Sequence, residues 1–227
     1  MKMCNKTCTF IQTGRFGQMS WSFTRAAILA LAAAISGPAF ADTAPVGQVD
    51  RVQNLVTAQR DGSTRDLALK SPLFADELLQ SHKAARLEAT LGDDTKITLG
   101  ENAALRIEDF LYTPGSTGGR LSMKVLNGAF LFIGGKVEAP TGGNVEIATG
   151  FATLGIRGTT VWGGPLDGAF AVLVLSGEVT VTNAGTTVTL TPNTGTTIAD
   201  ADSPPQAPVV WAQDKVDRAI ATISFAQ

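Results

Sequence analysis

His82 is the only histidine in the chain, so a Ser–His–Asp hydrolase would have to use it as the base. It lies in Ser81-His82-Lys83, a polar run with no G-x-S-x-G motif beside it, and reads as a solvated side chain. Both cysteines, Cys4 and Cys8, fall in the first 41 residues, ahead of a predicted cleavage point. The chain beyond that point has no thiolate nucleophile, no disulfide and no cysteine metal ligand. One histidine and no cysteine make a zinc site a poor expectation. Asp93-Asp94 and Asp200-Ala201-Asp202 are calcium ligands by type. Neither has the spacing of an EF-hand or of a nine-residue calcium repeat, and turn chemistry accounts for both. Carboxylate pairs for glycoside hydrolysis are matched in space, and nothing in the sequence singles one out. The expectation is no catalytic residue, no metal and no cofactor.

Arg157 is the more interesting charge. It stands in Val145–Trp162, VEIATGFATLGIRGTTVW, which reads as strand, then two glycines around an arginine, then strand. Phe151, Leu154, Ile156, Val161 and Trp162 are apolar where a solvated loop would carry polar residues. Glycines inside a strand pattern mark a bulge or a close backbone approach. On the structural reading, Arg157 is tucked at a bend, its five donors on backbone carbonyls, with Gly155 and Gly158 giving room. On the functional reading it binds a carboxylate or a partner. The apolar flanks favour the structural reading. Thr159 and Thr160 read as ordinary strand threonines.

The elements that would position these residues begin after a leader. Arg25, the apolar run Ala26–Ile35 and Ala39-Phe40-Ala41 predict a secretory signal peptide over residues 1–41, cleaved after Ala41. Met19 is an alternative start. Ten apolar residues are too few to span a bilayer, which needs about 20. The leader holds four of the 18 Lys and Arg and none of the 20 Asp and Glu, leaving 14 basic against 20 acidic residues, a net charge of −6. That argues against nucleic acid and anionic lipid as partners.

From Arg86 onward, alternation is clear: Leu87, Ala89 and Leu91, then Ile97 and Leu99, then Leu105 and Ile107, each run ended by turn residues. Asn127-Gly128 is a hairpin signal. Ala129–Ile133 and Ala169–Leu175 are apolar enough to be buried on both faces. Ser176-Gly177 is read as a turn. Leu131-Phe132-Ile133 and Val172–Leu175 read as core, with an exposed edge that pairs with a partner strand as the alternative. The prediction is an all-β fold, a short β-solenoid or a two-sheet sandwich, over residues 42–200. SPPQAP ends a proline-rich linker, 201–208, and an amphipathic helix is predicted over 209–225, packing back on the β domain.

Five segments, in order, resemble the FecR domain family, the periplasmic module of iron-citrate-type sensors. They are Asp94–Asn102, Ile107–Pro114, Gly128–Phe132, Thr149–Thr159 and Val174–Val181, within a best-matched span of about 85–195. The fourth is similar to the family's T-P-x-A-x-x-G-I-R-G-T and marks Thr149, Gly155, Ile156, Arg157, Gly158 and Thr159 as motif residues. Gly150 stands in place of the family's proline, and Val161 near a frequent aromatic. The full sensors add a cytoplasmic helical domain that holds a sigma factor, a membrane span and a C-terminal docking subdomain; none is read here. The resemblance therefore implies the β domain and its location, not anti-sigma activity.

The functional expectation is an exported, non-enzymatic periplasmic module that regulates by binding a membrane signalling protein, without membrane insertion of its own. The alternatives are a structural or adhesive role at the cell surface or in the medium and, last, a hydrolase on a β scaffold. Partner, ligand and oligomeric state are not specified by these residues.

Overall fold

The computed structural model describes residues 44–115, 118–138 and 143–226. The predicted leader with Cys4, Cys8, Met19 and the cleavage point lies outside them. Turn residues cut the alternating pattern into short strands: β1 Gly47–Gln53, β2 Val56–Arg60, β3 Ser63–Asp66, β4 Pro72–Leu73, β5 Leu78–Ser81, β6 Arg86–Leu91, β7 Lys96–Leu99 and β8 Ala104–Leu111. They continue with β9 Arg120–Asn127, β10 Phe130–Ile133, β11 Asn144–Thr149, β12 Thr153–Leu166, β13 Ala169–Asn183, β14 Thr186–Leu190, β15 Thr194–Ile198 and β16 Val209–Val210. A 3-10 turn, Lys136–Glu138, precedes β11, and one helix, α1 Gln213–Ala221, comes after β16. The fold is all-β, as expected. No helix among the described residues is long and apolar enough to cross a membrane.

β12 and β13 are the longest strands and belong to both halves of the sheet. The first part of β12 pairs with β11, and its second part pairs with β10. One half therefore runs β3-β2-β5-β8-β9-β11 into the β12–β13 ribbon and on to β14. The other runs β4-β1-β6-β7-β10 into the same ribbon and on to β15 and β16. The chain passes back and forth between the halves, as a solenoid does. Yet among the described strands every pairing but β9–β11 is antiparallel, so the ladders are those of a folded-over sheet. Asn127-Gly128 marks one crossing and not a hairpin, because β9 pairs with β8 and β11 while β10 pairs with β7 and β12. Gly128 has φ +83°, and a Cβ there would sit 2.4 Å from Ala103.

The two halves enclose one core. Val49, Leu87 and Ile97 from one half pack with Leu79, Ile107, Met123 and Ile147 from the other. Each such side chain contributes about 1.5–3 kcal/mol on burial. The interior strands β10 and β13 send residues to both faces, as predicted. Phe130, Phe132, Val172 and Val174 enter this core, while Leu131, Ala171 and Leu173 join Trp162 in a second cluster on the opposite face. β10 lies between β7 and β12, and Val172–Leu173 between β12 and β15, so neither apolar run is an edge open to a partner strand.

That second cluster is covered by α1 through Ala219, Ile223, Val216 and Ile220. The helix packs back on the domain, as expected, but it is shorter than 209–225. Val209 and Val210 instead pair with Thr194 and Gly195 of β15. Trp211 then turns inward, its ring 6.2 Å from that of Trp162, and the helix starts only after this anchor. Gln206 holds the proline-rich segment to β15, its amide on the Thr197 carbonyl and its own carbonyl on the Thr196 hydroxyl.

Candidate functional site

Leu154 and Ile156 point into the main core at the start of β12, and Val161 does so further on. Strict alternation would put Val161 on the opposite face from Ile156. β12 resolves this with a bulge: Arg157 faces Glu178 and Thr160 faces Ser176, leaving Gly158 and Thr159 opposite Gly177 alone. β13 changes parity at the same place, from Val172 and Val174 to Val179 and Val181. The strands read in the sequence as broken by a bend at Arg157 and a turn at Ser176-Gly177 are thus continuous, with a bulge on β12 and an offsetting extra residue, Leu175, on β13.

Gly158 and Gly177 both take positive φ, +61° and +80°. They differ in space. A Cβ on Gly158 meets nothing within 4 Å, whereas one on Gly177 would lie 2.2 Å from the Gly158 carbonyl oxygen. The expected crowding at Gly158 is therefore corrected: the close approach belongs to Gly177, and Gly158 is required for its backbone conformation.

Thr159 is more than a strand threonine. It is buried, its hydroxyl contacts the Arg157 carbonyl at 2.7 Å and the Glu178 carbonyl at 3.0 Å, and it accepts the Arg157 amide at 3.2 Å. It holds the bulge closed without help from the arginine. Arg157 itself is exposed, and its side chain makes no hydrogen bond or ion pair among the described residues. The tucked-arginine reading is overturned, because the side chain is exposed and Thr159 meets the backbone groups of the bulge. Arg157, Asn144, Gly155, Glu178 and Thr180 line a depression of about 270 Å³. At the other end of the motif, Thr149 staples the turn into β12, its hydroxyl accepting the amides of Phe151 and Ala152. Phe151 stacks on Phe170, centroids 5.0 Å apart, beside an apolar hollow of about 390 Å³ that also involves Leu126 and Pro165.

Beneath the bulge lies a polar network that the sequence did not reveal. Bulging leaves the Thr159 amide without a strand partner, and the Glu138 carboxylate accepts it at 3.1 Å. Burial pushes the Glu138 carboxyl above the usual glutamate range, and the amides of Thr159 and Gly158 pull it back. Asp93, fully buried, accepts the Thr95 hydroxyl at 2.7 Å, the Thr95 amide at 3.1 Å and the Val137 amide at 3.0 Å. This is the turn chemistry expected of Asp93, extended to a second segment. Asp94 pairs on the surface with Lys136, and Asp200 accepts the Asp202 amide within its own turn. His82 is exposed, with Thr57 Oγ1 3.5 Å from its ring. No group of three or more His, Cys, Asp or Glu among the described residues could hold a metal ion. Glu138 could not have been found from sequence, because Lys-Val-Glu before a proline loop carries no sign of burial.

Residues 77–180 match the model described as FecR protein. No curated protein matches the chain. Among solved structures, a candidate anti-sigma factor from Parabacteroides distasonis, at 2.50 Å, is 17% identical with a TM-score of 0.50. The alignment covers 62% of this chain and 62% of that one. A second structure of a candidate anti-sigma factor from the same organism, at 1.65 Å, is 18% identical, with the same coverage of both chains and a TM-score of 0.49. At such identities the first likeness shows the fold alone, and this chain spans less than two thirds of that solved chain. The family match contains the bulge, its two glycines and Glu138, and residues 77–180 of this chain are similar to a FecR domain.

Proposed function

We propose that this protein is an exported, non-enzymatic module that regulates by binding a protein partner, a membrane signalling protein supplying the cytoplasmic half of a sensor. The observation that carries this reading is Arg157. It lies within the stretch that matches the FecR model, yet it is exposed and the bulge is closed without it. An arginine that its own fold does not use, lining one depression with Glu178 and Asn144, is suited to a carboxylate or carbonyl of another chain. The description of the Parabacteroides protein as a candidate anti-sigma factor is consistent with a signalling role. Export to the periplasm rests on Arg25, the apolar run to Ile35 and Ala39-Phe40-Ala41.

In-cell crosslinking and pull-down with the full chain tests this reading. The expected result is one enriched inner-membrane signalling protein, reduced roughly tenfold or more by Arg157→Ala. The same substitution should change unfolding stability by no more than about 0.5 kcal/mol, because it removes no hydrogen bond or ion pair among the described residues. Protein found in the medium or at the cell surface, with no specific partner, would replace regulation by a structural role.

A further inference from the structure

The carboxyl group of Glu138 is held in an unusual way. Oε2 accepts the Thr159 amide, but Oε1 is buried without a hydrogen-bond partner among the described residues. Gly134 packs against one side of it: a Cβ there would lie 2.0 Å from Oε1 and 2.7 Å from Oε2. Gly134 in turn donates its amide to the Thr159 carbonyl at 2.9 Å, so β10, the 3-10 turn and the bulge converge on one carboxyl group. A buried carboxylate oxygen without a donor from the protein carries a desolvation cost for its charge, and a neutral carboxyl carries far less.

We propose that Glu138 is a proton-operated latch on the motif bulge. Neutral, it holds the 3-10 turn against Gly158 and Thr159. Ionised, it loosens that contact and with it the segment of β12 that presents Arg157. The latch deepens the proposed role of Arg157, but it is defined by the bulge alone and can be tested without a partner.

The surrounding charges favour the neutral form. Asp93, from the turn between β6 and β7, faces Glu138 and is occupied by Thr95 and Val137. On the 3-10 turn, Lys136 is committed to Asp94 at the surface. The charged residues of the neighbouring strands, Lys96 on β7, Glu146 on β11, Arg157 on β12 and Glu178 on β13, are exposed. Burial first, and the Asp93 charge after it, raise the Glu138 value above 4.5, against the two bulge amides. A folded value above the unfolded one stabilises the fold fully below 4.5, and this contribution is lost as pH rises through the folded value. The latch is therefore tight in acid.

The test tracks the Glu138 side-chain carboxyl by carbon NMR in the full chain, its signal assigned by its loss in Glu138→Gln. In parallel, exchange of the Thr159 amide is measured, corrected for intrinsic pH dependence and referenced to the core amide of Ile147. The expected midpoint lies above 4.5, the value of an ordinary glutamate. Thr159 protection should fall about tenfold per unit of upward shift as pH passes that midpoint. In Glu138→Gln it should stay constant. A midpoint at or below the ordinary value, or the same Thr159 pH dependence in parent and variant, would overturn the latch. Since neither readout involves a partner, loss of the Arg157 effect in crosslinking would count against the regulatory reading alone.

Discussion

Gly177→Val should destabilise the β unit by ~4 kcal/mol or more, enough to unfold a domain of ordinary stability. Two costs combine. At φ +80° a β-branched residue is a genuine backbone outlier. Its Cβ would also lie 2.2 Å from the Gly158 carbonyl oxygen and 2.8 Å from the Thr159 Cα, both backbone atoms that cannot swing aside. Relief would require the bulge to open. That would break the Thr159 hydroxyl contacts and return Val161 and Val179 to the wrong side of their strands. Gly158→Ala makes the comparison informative. With φ +61° and no atom within 4 Å, it should cost only about 1–2 kcal/mol of backbone strain. Urea unfolding of the two variants checks this order. Equal losses, or a parent-like midpoint for Gly177→Val, would mean that the bulge is not where the two strands change face.

The difference between these two glycines marks where sequence reasoning stops. Alternation in Leu87–Leu91, Ile97–Leu99 and Leu105–Ile107 identified β6, β7 and β8, because period-two burial is written in each strand by itself. What a strand pairs with is not written there. Asn127-Gly128 has the composition of a hairpin turn but joins strands in opposite halves of the sheet, a choice made by core packing far along the chain. Val209 fits the helical spacing of Val216 and Ile220 but is drawn into β16 by its pairing with Gly195 and by the Trp211 anchor. The motif at Gly155–Thr159 was legible as a bend. The assignment of its polar work to Arg157 was not correct, since a threonine hydroxyl two residues away reaches the carbonyl groups of the bend with a shorter side chain. Glu138 is the clearest case. Its role depends on a 3-10 turn folding onto a bulge in a strand 21 residues later, and no local pattern encodes that contact.

Asp93→Ala should cost about 3–5 kcal/mol, more than its position in a surface turn would suggest. Asp93 is fully buried, and its carboxylate is the acceptor for the Thr95 hydroxyl, the Thr95 amide and the Val137 amide. Alanine leaves these donors without an acceptor in a site water does not reach, at about 1–3 kcal/mol for each group left unpaired. Local rearrangement would let Thr95 turn its hydroxyl elsewhere, which keeps the total below a simple sum. The Val137 amide has no such freedom, because the Lys136 amide beside it is tied to the Asp93 carbonyl at 2.8 Å. Asp93→Asn separates hydrogen bonding from charge. Its amide oxygen keeps one acceptor in place, while its NH2 faces groups that are already donors, so an intermediate loss is expected. It also removes the negative charge that helps raise the Glu138 carboxyl, so the Glu138 midpoint should move toward the ordinary glutamate value. Chemical unfolding measures the first effect and carboxyl titration the second. Parent-like stability in Asp93→Ala would show that the 3-10 turn is held to the sheet by contacts other than this network. An unchanged Glu138 midpoint in Asp93→Asn would leave burial as the whole cause of its upward shift.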